Sequence, residues 1–141
     1  MSRAIQLTCV AIGGRGLLID GPSGSGKSSL ALALIDRGAV LVGDDGVMIA
    51  ERSGQLLVSP HPNTIGKLEV RNLGILDFPT APPVPAALFV RLSDRAPRYV
   101  DQPEWIEIEN VRLPRLRFWP GSPVLALRAE LALSQYGLPL S

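Results

Sequence analysis

The sequence predicts a single α/β domain, mostly β-strands with two helices, and three observations support this fold class. A glycine-rich loop at residues 21–28 stands between an apolar run and a segment rich in Leu and Ala. Most of the remaining chain consists of short apolar or alternating runs separated by Gly, Pro and Asp, which is typical of strands joined by turns. Leu and Ala return near the C-terminus after Ser122 and Pro123, a pattern that predicts a second helix.

Length and composition agree with one domain over residues 1–141. Hydrophobic residues make up 46% of the chain, which argues against disorder. The net charge of +1 gives no reason to expect nucleic acid or an anionic membrane as a partner. The single Cys9 excludes an internal disulfide and a cysteine-based zinc site. No apolar run approaches transmembrane length, and the N-terminus lacks a signal-like segment, so we expect a cytoplasmic protein.

The first elements lead into the glycine-rich loop. Residues 4–12 and 17–19 are apolar and predict two strands, and the glycines between them predict a hairpin turn. Residues 29–37 favour a helix because Leu and Ala are strong helix formers, and Gly38 suits the position just past its end. The loop therefore has the strand–loop–helix context of a phosphate-binding loop.

The loop fits the pattern G-x-x-x-x-G-K-[ST], in which each residue type has a chemical reason. Glycines allow the backbone to approach a ligand, and successive N–H groups with the helix start form an anion site. Lys27 would reach the β- and γ-phosphates, and the Ser28 hydroxyl would bind Mg²⁺. The predicted nucleotide-binding residues here are Gly21, Pro22, Ser23, Gly24, Ser25, Gly26, Lys27, Ser28 and Ser29.

An apolar run at residues 39–42 is followed by Asp44 and Asp45. A strand that ends in an acid is the pattern that brings a carboxylate beside the Mg²⁺ of a phosphate-loop enzyme. Of two adjacent carboxylates, one can hold the metal while the other accepts a proton from an attacking hydroxyl. The alternative is an ordinary polar turn, because Asp and Gly are common turn residues.

The rest of the chain predicts strands, loops and the terminal helix. Residues 67–71 predict a strand with Glu69 and Arg71 on one face, where they either serve a site or form a surface ion pair. The arginines of a later strand form either a basic phosphate-facing strip or a solvated sheet face. Further predicted strands cover residues 47–50, 55–58, 86–92, 105–109 and 111–119; loops cover 59–64, 79–85 and 93–103; the helix covers 124–134.

Three stretches resemble the C-terminal catalytic domain of HPr kinase/phosphorylase. They are residues 21–28, residues 40–47 (V-L-V-G-D-D-G-V) and residues 67–77 (K-L-E-V-R-N-L-G-I-L-D). The third is the most specific, since the family reads approximately L-E-I-R-G-L-G-I-I-D there. The chain looks most like the short form found in alphaproteobacteria. The resemblance implies a fold similar to the core of phosphoenolpyruvate carboxykinase.

The resemblance also implies an activity: ATP- and Mg²⁺-dependent phosphorylation of a serine in an HPr-like phosphocarrier protein. With inorganic phosphate, the same family removes that phosphate and forms pyrophosphate. By position, Asp45 would be the base, and Asp44 would assist it and the metal. Glu69 would help to bind Mg²⁺, Arg71 would neighbour the phosphates, and Lys27 would complete the catalytic set. Long family members are hexamers, and the resemblance leaves open whether this chain is a homo-oligomer.

Departures from the family pattern keep two alternatives open. Gln6 stands where the family commonly has a histidine, and Ser29, Gly46 and Asn72 also differ from the usual residues. Because Gln cannot titrate, these changes predict an altered balance between the two activities or a different protein substrate. The main alternative is a nucleotide- or phosphate-sensing binding module without phosphoryl transfer. A simple nucleotidase is a weaker one.

Overall fold

The structure, a computed structural model, describes residues 2–140. Over this range the chain forms eleven strands and two helices. The strands are β1 (Arg3–Ile5), β2 (Thr8–Ile12), β3 (Arg15–Asp20), β4 (Val40–Gly43), β5 (Val47–Arg52), β6 (Gln55–Pro60), β7 (Lys67–Val70), β8 (Gly74–Asp77), β9 (Val84–Leu92), β10 (Glu104–Ile108) and β11 (Val111–Phe118). The helices are α1 (Lys27–Asp36) and α2 (Leu125–Tyr136).

Nine strands form one sheet organised around the long strand β9, in the order β1-β5-β6-β9-β3-β2-β4. The start of β9 pairs antiparallel with β6, and most of its length pairs in parallel with β3. Its C-terminal half also pairs in parallel with β11, which carries β10 on its other side. Strands β7 and β8 form a separate hairpin. The α/β class with two helices is therefore confirmed.

Apolar side chains cover both faces of the central strands. In β3, Leu17 and Ile19 face the cluster that includes Leu34 of α1 and Leu133 of α2, while Leu18 faces the opposite cluster. All of these side chains are buried, and burying each contributes about 1.5–3 kcal/mol. Because both faces are buried, β3 reads as a continuous apolar run instead of an alternating one.

No helix in the described range is long and apolar enough to cross a membrane.

Helix α1 brings three parts of the chain together at its N-terminal end. It follows directly on the glycine-rich loop, and Gly38, with φ +107, stands just past its C-cap residue Arg37. The helix packs against β2 and β7, burying Leu30, Ala31 and Leu34. The start of β2, the end of β4 and the hairpin β7–β8 consequently surround the loop.

The predicted strand at residues 4–12 is wrong in one respect, because the structure contains two strands there. β1 pairs with β5, whereas β2 pairs with β3 and β4. Gln6 and Leu7 lie between them. Apolar character indicates an extended chain but does not indicate which partner each half pairs with.

Prolines account for other boundary differences. Ser59 and Pro60, predicted as loop, end β6, and Val84 and Pro85, also predicted as loop, begin β9. Strand ends tolerate proline because its missing N–H is not needed there. Helix α2 begins one residue later than predicted, at Leu125.

Candidate active site

A cleft of about 570 Å³ opens at the N-terminal end of α1. The glycine-rich loop, the turn after β4 and strand β7 contribute most of its walls. The cleft is lined by Gln6, Asp20, Gly21, Ser23, Gly24, Gly26, Lys27, Ser28, Ser29, Asp44, Asp45, Glu69 and Arg71. Every predicted site residue is therefore in this one place except Pro22, which is exposed, and Ser25, whose Oγ is buried within the loop.

The loop closes on itself in a way that depends on glycine. The N–H of Ser25 donates to the carbonyl of Pro22 at 3.0 Å. A Cβ on Gly21 would lie 2.5 Å from the Ser25 Oγ, so any larger residue would displace that side chain. Gly26, immediately before α1, has φ +104, which favours glycine. The first N–H groups of α1 have no intrahelical acceptor and are available to an anion.

Lys27 lies over the loop without a carboxylate partner. Its Nζ donates to the carbonyl oxygen of Gly21 at 2.9 Å, and it forms no ion pair within residues 2–140. The other lysine, Lys67, is paired with Asp77. A carbonyl is a weak partner for an ammonium group, so Lys27 keeps its charge available for a phosphate.

Asp44 connects the loop to two other elements. Its Oδ1 accepts hydrogen bonds from the Ser28 Oγ at 2.7 Å and from the Thr8 Oγ1 at 3.1 Å. Its Oδ2 accepts the backbone N–H of Glu69 at 3.1 Å. One carboxylate therefore joins the first turn of α1, strand β2 and strand β7.

Asp45 has a different environment from its neighbour. It is exposed and has φ +57, in the left-handed region. Its N–H donates to the Thr8 Oγ1 at 3.1 Å, and the Gln6 Nε2 donates to its Oδ2 at 3.5 Å. Asp44 is held against Ser28, whereas the Asp45 side chain faces the open cleft.

Glu69 of strand β7 and Arg71, which lies in the turn just after that strand, both line the cleft. Leu68 and Val70 alternate with them and are buried in the cluster against α1. This alternation, expected for a strand, agrees with the predicted common face for Glu69 and Arg71. The ion pair considered from the sequence does not form between these two described residues.

The available oxygens fit a magnesium ion. No group of three or more His, Cys, Asp or Glu side chains in the described part of the chain could hold a metal by itself. Mg²⁺ commonly uses only one or two carboxylates together with substrate phosphates and water. The cleft offers two carboxylates and one hydroxyl for this purpose, from Asp44, Glu69 and Ser28. Their roles as magnesium ligands remain predictions.

Two further residues belong to the site but received no role from the sequence. Asp20 lines the cleft directly before Gly21, and its Oδ2 accepts from the Arg91 Nη1 at 2.6 Å. Thr8 is the one polar residue classed as buried among those described, at 0% exposure. The sequence features that could have indicated them are an acid at the end of a predicted strand for Asp20 and a hydroxyl within an apolar strand for Thr8.

The arginines of β11 do not line this cleft. The Arg117 Nε donates to the Glu104 Oε1 at 2.7 Å, and Arg115 lies 3.4 Å from the same carboxylate. The hydrogen bond from Arg117 lowers the pKa of Glu104 below its usual value. Of the two alternatives for this strand, the solvated sheet face is the one observed.

Comparison with known proteins gives matches to HPr serine kinases. The family model for the HPr Serine kinase C-terminal domain matches residues 2–81. HPr kinase/phosphorylase of Clostridium beijerinckii is 52% identical over 71 residues, and that of Clostridium tetani is 54% identical over 71 residues. These alignments cover 50% of this chain but only 24% and 23% of the two relatives.

The likeness to solved structures extends over nearly the whole chain. The structure of the Hpr(Ser) kinase/phosphatase from Coxiella burnetii matches with a TM-score of 0.82 and 26% sequence identity. The match covers 94% of both chains. The likeness therefore extends beyond residue 81, where the family-model match ends, into the C-terminal part of the chain.

Proposed function

This chain belongs to the family of HPr serine kinase C-terminal domains, and we propose that it is an ATP-dependent serine kinase acting on an HPr-like phosphocarrier protein. The chain spans about a quarter of the curated relatives that it matches. The proposal therefore depends on whether this part of the family fold carries a complete phosphotransfer site. Because the reaction consumes ATP, we place it in the cytoplasm.

The observation that carries the proposal is the hydrogen bond between the Ser28 Oγ and the Asp44 Oδ1, at 2.7 Å. It joins the predicted phosphate-binding loop to the predicted acidic pair. A phosphate group on the loop would then have Asp45 beside its outer end, since both line one cleft. Phosphoryl transfer requires such positioning and charge neutralisation more than covalent chemistry.

In the forward reaction, Asp45 accepts the proton of the substrate serine hydroxyl. The serine oxygen forms a bond to the γ-phosphorus while the bond from that phosphorus to the β-bridging oxygen breaks, and ADP leaves with that electron pair. Lys27 and the N–H groups of the loop stabilise the charge that develops on the phosphate oxygens. Mg²⁺ bound by Ser28, Asp44 and Glu69 would supply further charge neutralisation.

The same groups support the reverse reaction. Inorganic phosphate attacks the phosphorus of phosphoserine, the bond to the serine oxygen breaks, and Asp45 returns its proton to that oxygen. The products are serine and pyrophosphate. Gln6, which contacts Asp45, carries no titratable group in the pH range of the reaction. We infer that any pH dependence of the switch between directions differs from that of family members with histidine at this position.

The experiment that tests the proposal uses the chain, ATP, Mg²⁺ and an HPr homologue from the same genome. Intact-mass spectrometry of the HPr homologue should detect one added phosphoryl group, and addition of inorganic phosphate should remove it. The proposal would be contradicted if the protein neither added a phosphoryl group to the HPr homologue nor removed one from it under any nucleotide condition. Partner binding that requires ATP and survives Asp45→Asn, without transfer by the parent protein, would support the sensing module instead.

A further inference from the structure

We propose that Thr8 is a positioning residue that uses one buried hydroxyl to fix the two aspartates relative to each other. The proposal rests on the proposed phosphotransfer, in which the two acids have different roles. Thr8 begins β2, where it pairs with Ile19 of β3, and its side chain is fully buried. It is therefore anchored in the central sheet, whereas Asp44 and Asp45 lie in a turn beyond the end of β4.

The hydrogen bonds of the Thr8 hydroxyl have only one arrangement. The N–H of Asp45 can only donate, so the Thr8 Oγ1 accepts it at 3.1 Å. The carboxylate oxygen of Asp44 accepts, so the same Oγ1 gives its single proton to Oδ1 at 3.1 Å. The hydroxyl thus links the side chain of one acid to the backbone of the next.

This link acts where the backbone needs support. Asp45 has φ +57, a conformation that residues other than glycine adopt infrequently. That conformation turns the Asp45 side chain to the cleft while Asp44 remains against Ser28. Without the hydroxyl, the Asp45 N–H loses its Thr8 acceptor, and the turn can relax toward a more common conformation.

The other contacts of Asp45 do not replace this one. Gln6 reaches the carboxylate at 3.5 Å from an exposed position, which is a long hydrogen bond. Asp44 retains Ser28 and the Glu69 N–H if Thr8 is changed. Loss of the hydroxyl should therefore displace Asp45, the base, more than it disturbs the loop or the metal-binding acid.

The test compares Thr8→Val, which keeps the shape but removes the hydroxyl, with Thr8→Ser, which keeps the hydroxyl. We expect kcat for transfer to the HPr homologue to fall by about 10- to 100-fold in Thr8→Val, since small misplacements of reacting groups have effects of this size. KM for ATP should change by less than about threefold, because uniform binding by the loop is retained. Thr8→Ser should recover most of kcat.

A matched control is Cys9→Ala, which shortens the next buried side chain in the same strand, on the other face of the sheet. It should leave kcat within about twofold of the parent, because the Cys9 thiol donates to the Val10 carbonyl and not to either aspartate. Equal loss in Cys9→Ala and Thr8→Val would show a general effect of strand damage and would overturn the proposal. So would parent-like kcat in Thr8→Val, or a Thr8→Ser variant as impaired as Thr8→Val.

A second measurement does not depend on activity. Backbone hydrogen exchange followed by NMR should become at least about tenfold faster at the Asp45 amide in Thr8→Val, but not in Thr8→Ser or Cys9→Ala. Unchanged protection in Thr8→Val would overturn the positioning role even if transfer occurs. If the parent shows no transfer but the exchange pattern is as expected, the proposed function fails while the structural link stands. Should Thr8→Val not fold, Thr8→Ala takes its place with the same criteria.

Discussion

The cleft and the strand pair β10–β11 both combine acids with basic residues, but they differ in whether the basic side chains are paired within the protein. In the strand pair, Glu104 binds both Arg115 and Arg117, and Arg112 stacks over the Trp105 ring at 4.6 Å. In the cleft, the Lys27 ammonium has only a carbonyl partner among residues 2–140. The arginines of the strand pair are paired with the Glu104 carboxylate or stacked on the Trp105 ring, whereas Lys27 remains available for a ligand.

This difference has a backbone origin. The residues of the strand pair lie on regular neighbouring strands. There, side chains on one face contact each other when they are directly opposite, as Glu104 and Arg115 are, or two residues further along. The residues of the cleft lie at the loop before α1 and the turn after β4, where positive φ at Gly26 and Asp45 redirects the chain. Charge content does not separate a ligand site from a surface ion-pair network, but the position of the charges relative to turns and strand ends does.

The largest expected effect is in the cleft, from Asp45→Asn. Removing the proposed base should lower the rate of transfer to the HPr homologue by about 10²- to 10⁴-fold, the usual contribution of general acid–base catalysis. ATP affinity should stay near the parent value in isothermal titration. The matched control is Asp36→Asn, since Asp36 is exposed at the opposite end of α1 and should leave the rate unchanged. A rate in Asp45→Asn within threefold of the parent would contradict this role.

The two lysines of the chain provide the next comparison. Lys27→Ala should weaken ATP binding by about 10- to 150-fold, since a hydrogen bond to a charged group contributes about 1.5–3 kcal/mol. Lys67→Ala removes a surface ion pair with Asp77 and should change ATP affinity by less than twofold. Titration calorimetry of both folded variants checks the difference. Equal ATP affinities of the Lys27→Ala and Lys67→Ala variants would contradict the assignment of Lys27 as the lysine that binds ATP.

The smallest effect concerns Glu104 and depends on pH. Its pKa is lowered in the folded protein, chiefly by the hydrogen bond from Arg117, so the ionised form favours folding. This contribution is fully present above the ordinary glutamate pKa of about 4.3 and is lost as pH falls through the lower folded value. For such an exposed pair it should not exceed about 1 kcal/mol.

The matching experiment is denaturant unfolding of Glu104→Gln against the parent at several pH values. The variant should be slightly less stable at pH 7, and the difference should shrink as pH falls below about 4. A difference that grows at low pH would contradict the assignment. The transfer activity of Glu104→Gln should equal that of the parent, because Glu104 does not line the cleft.

Local patterns were sufficient to predict the loop, α1 and the fold class. The loop motif is contiguous, and each glycine has a backbone reason that can be deduced from its neighbours. The placement of Asp44 and Asp45 beside the loop also followed from the lengths of the helix and the returning strand. The alternation of residues 67–71 predicted a strand with Glu69 and Arg71 on one face. The strand is confirmed over Lys67–Val70, with Glu69 exposed, and Arg71 lies in the turn just after it.

Other features depend on tertiary partners that local patterns do not contain. The change of partner between β1 and β2 requires knowledge of where β5 lies. Thr8 acquires its importance only because the end of β4 brings two aspartates to its hydroxyl. The pairing of Arg91 with Asp20 likewise arises from the register of β9 against β3, across 71 residues of chain.

The most direct test of the account is a crystal structure of this chain with a non-hydrolysable ATP analogue and Mg²⁺. We expect the phosphates on the N–H groups of residues 21–28, with the ion beside Ser28 and Asp44 and the outermost phosphate facing Asp45. An analogue bound elsewhere, or bound on the loop with Asp45 turned away from the outermost phosphate, would contradict the account.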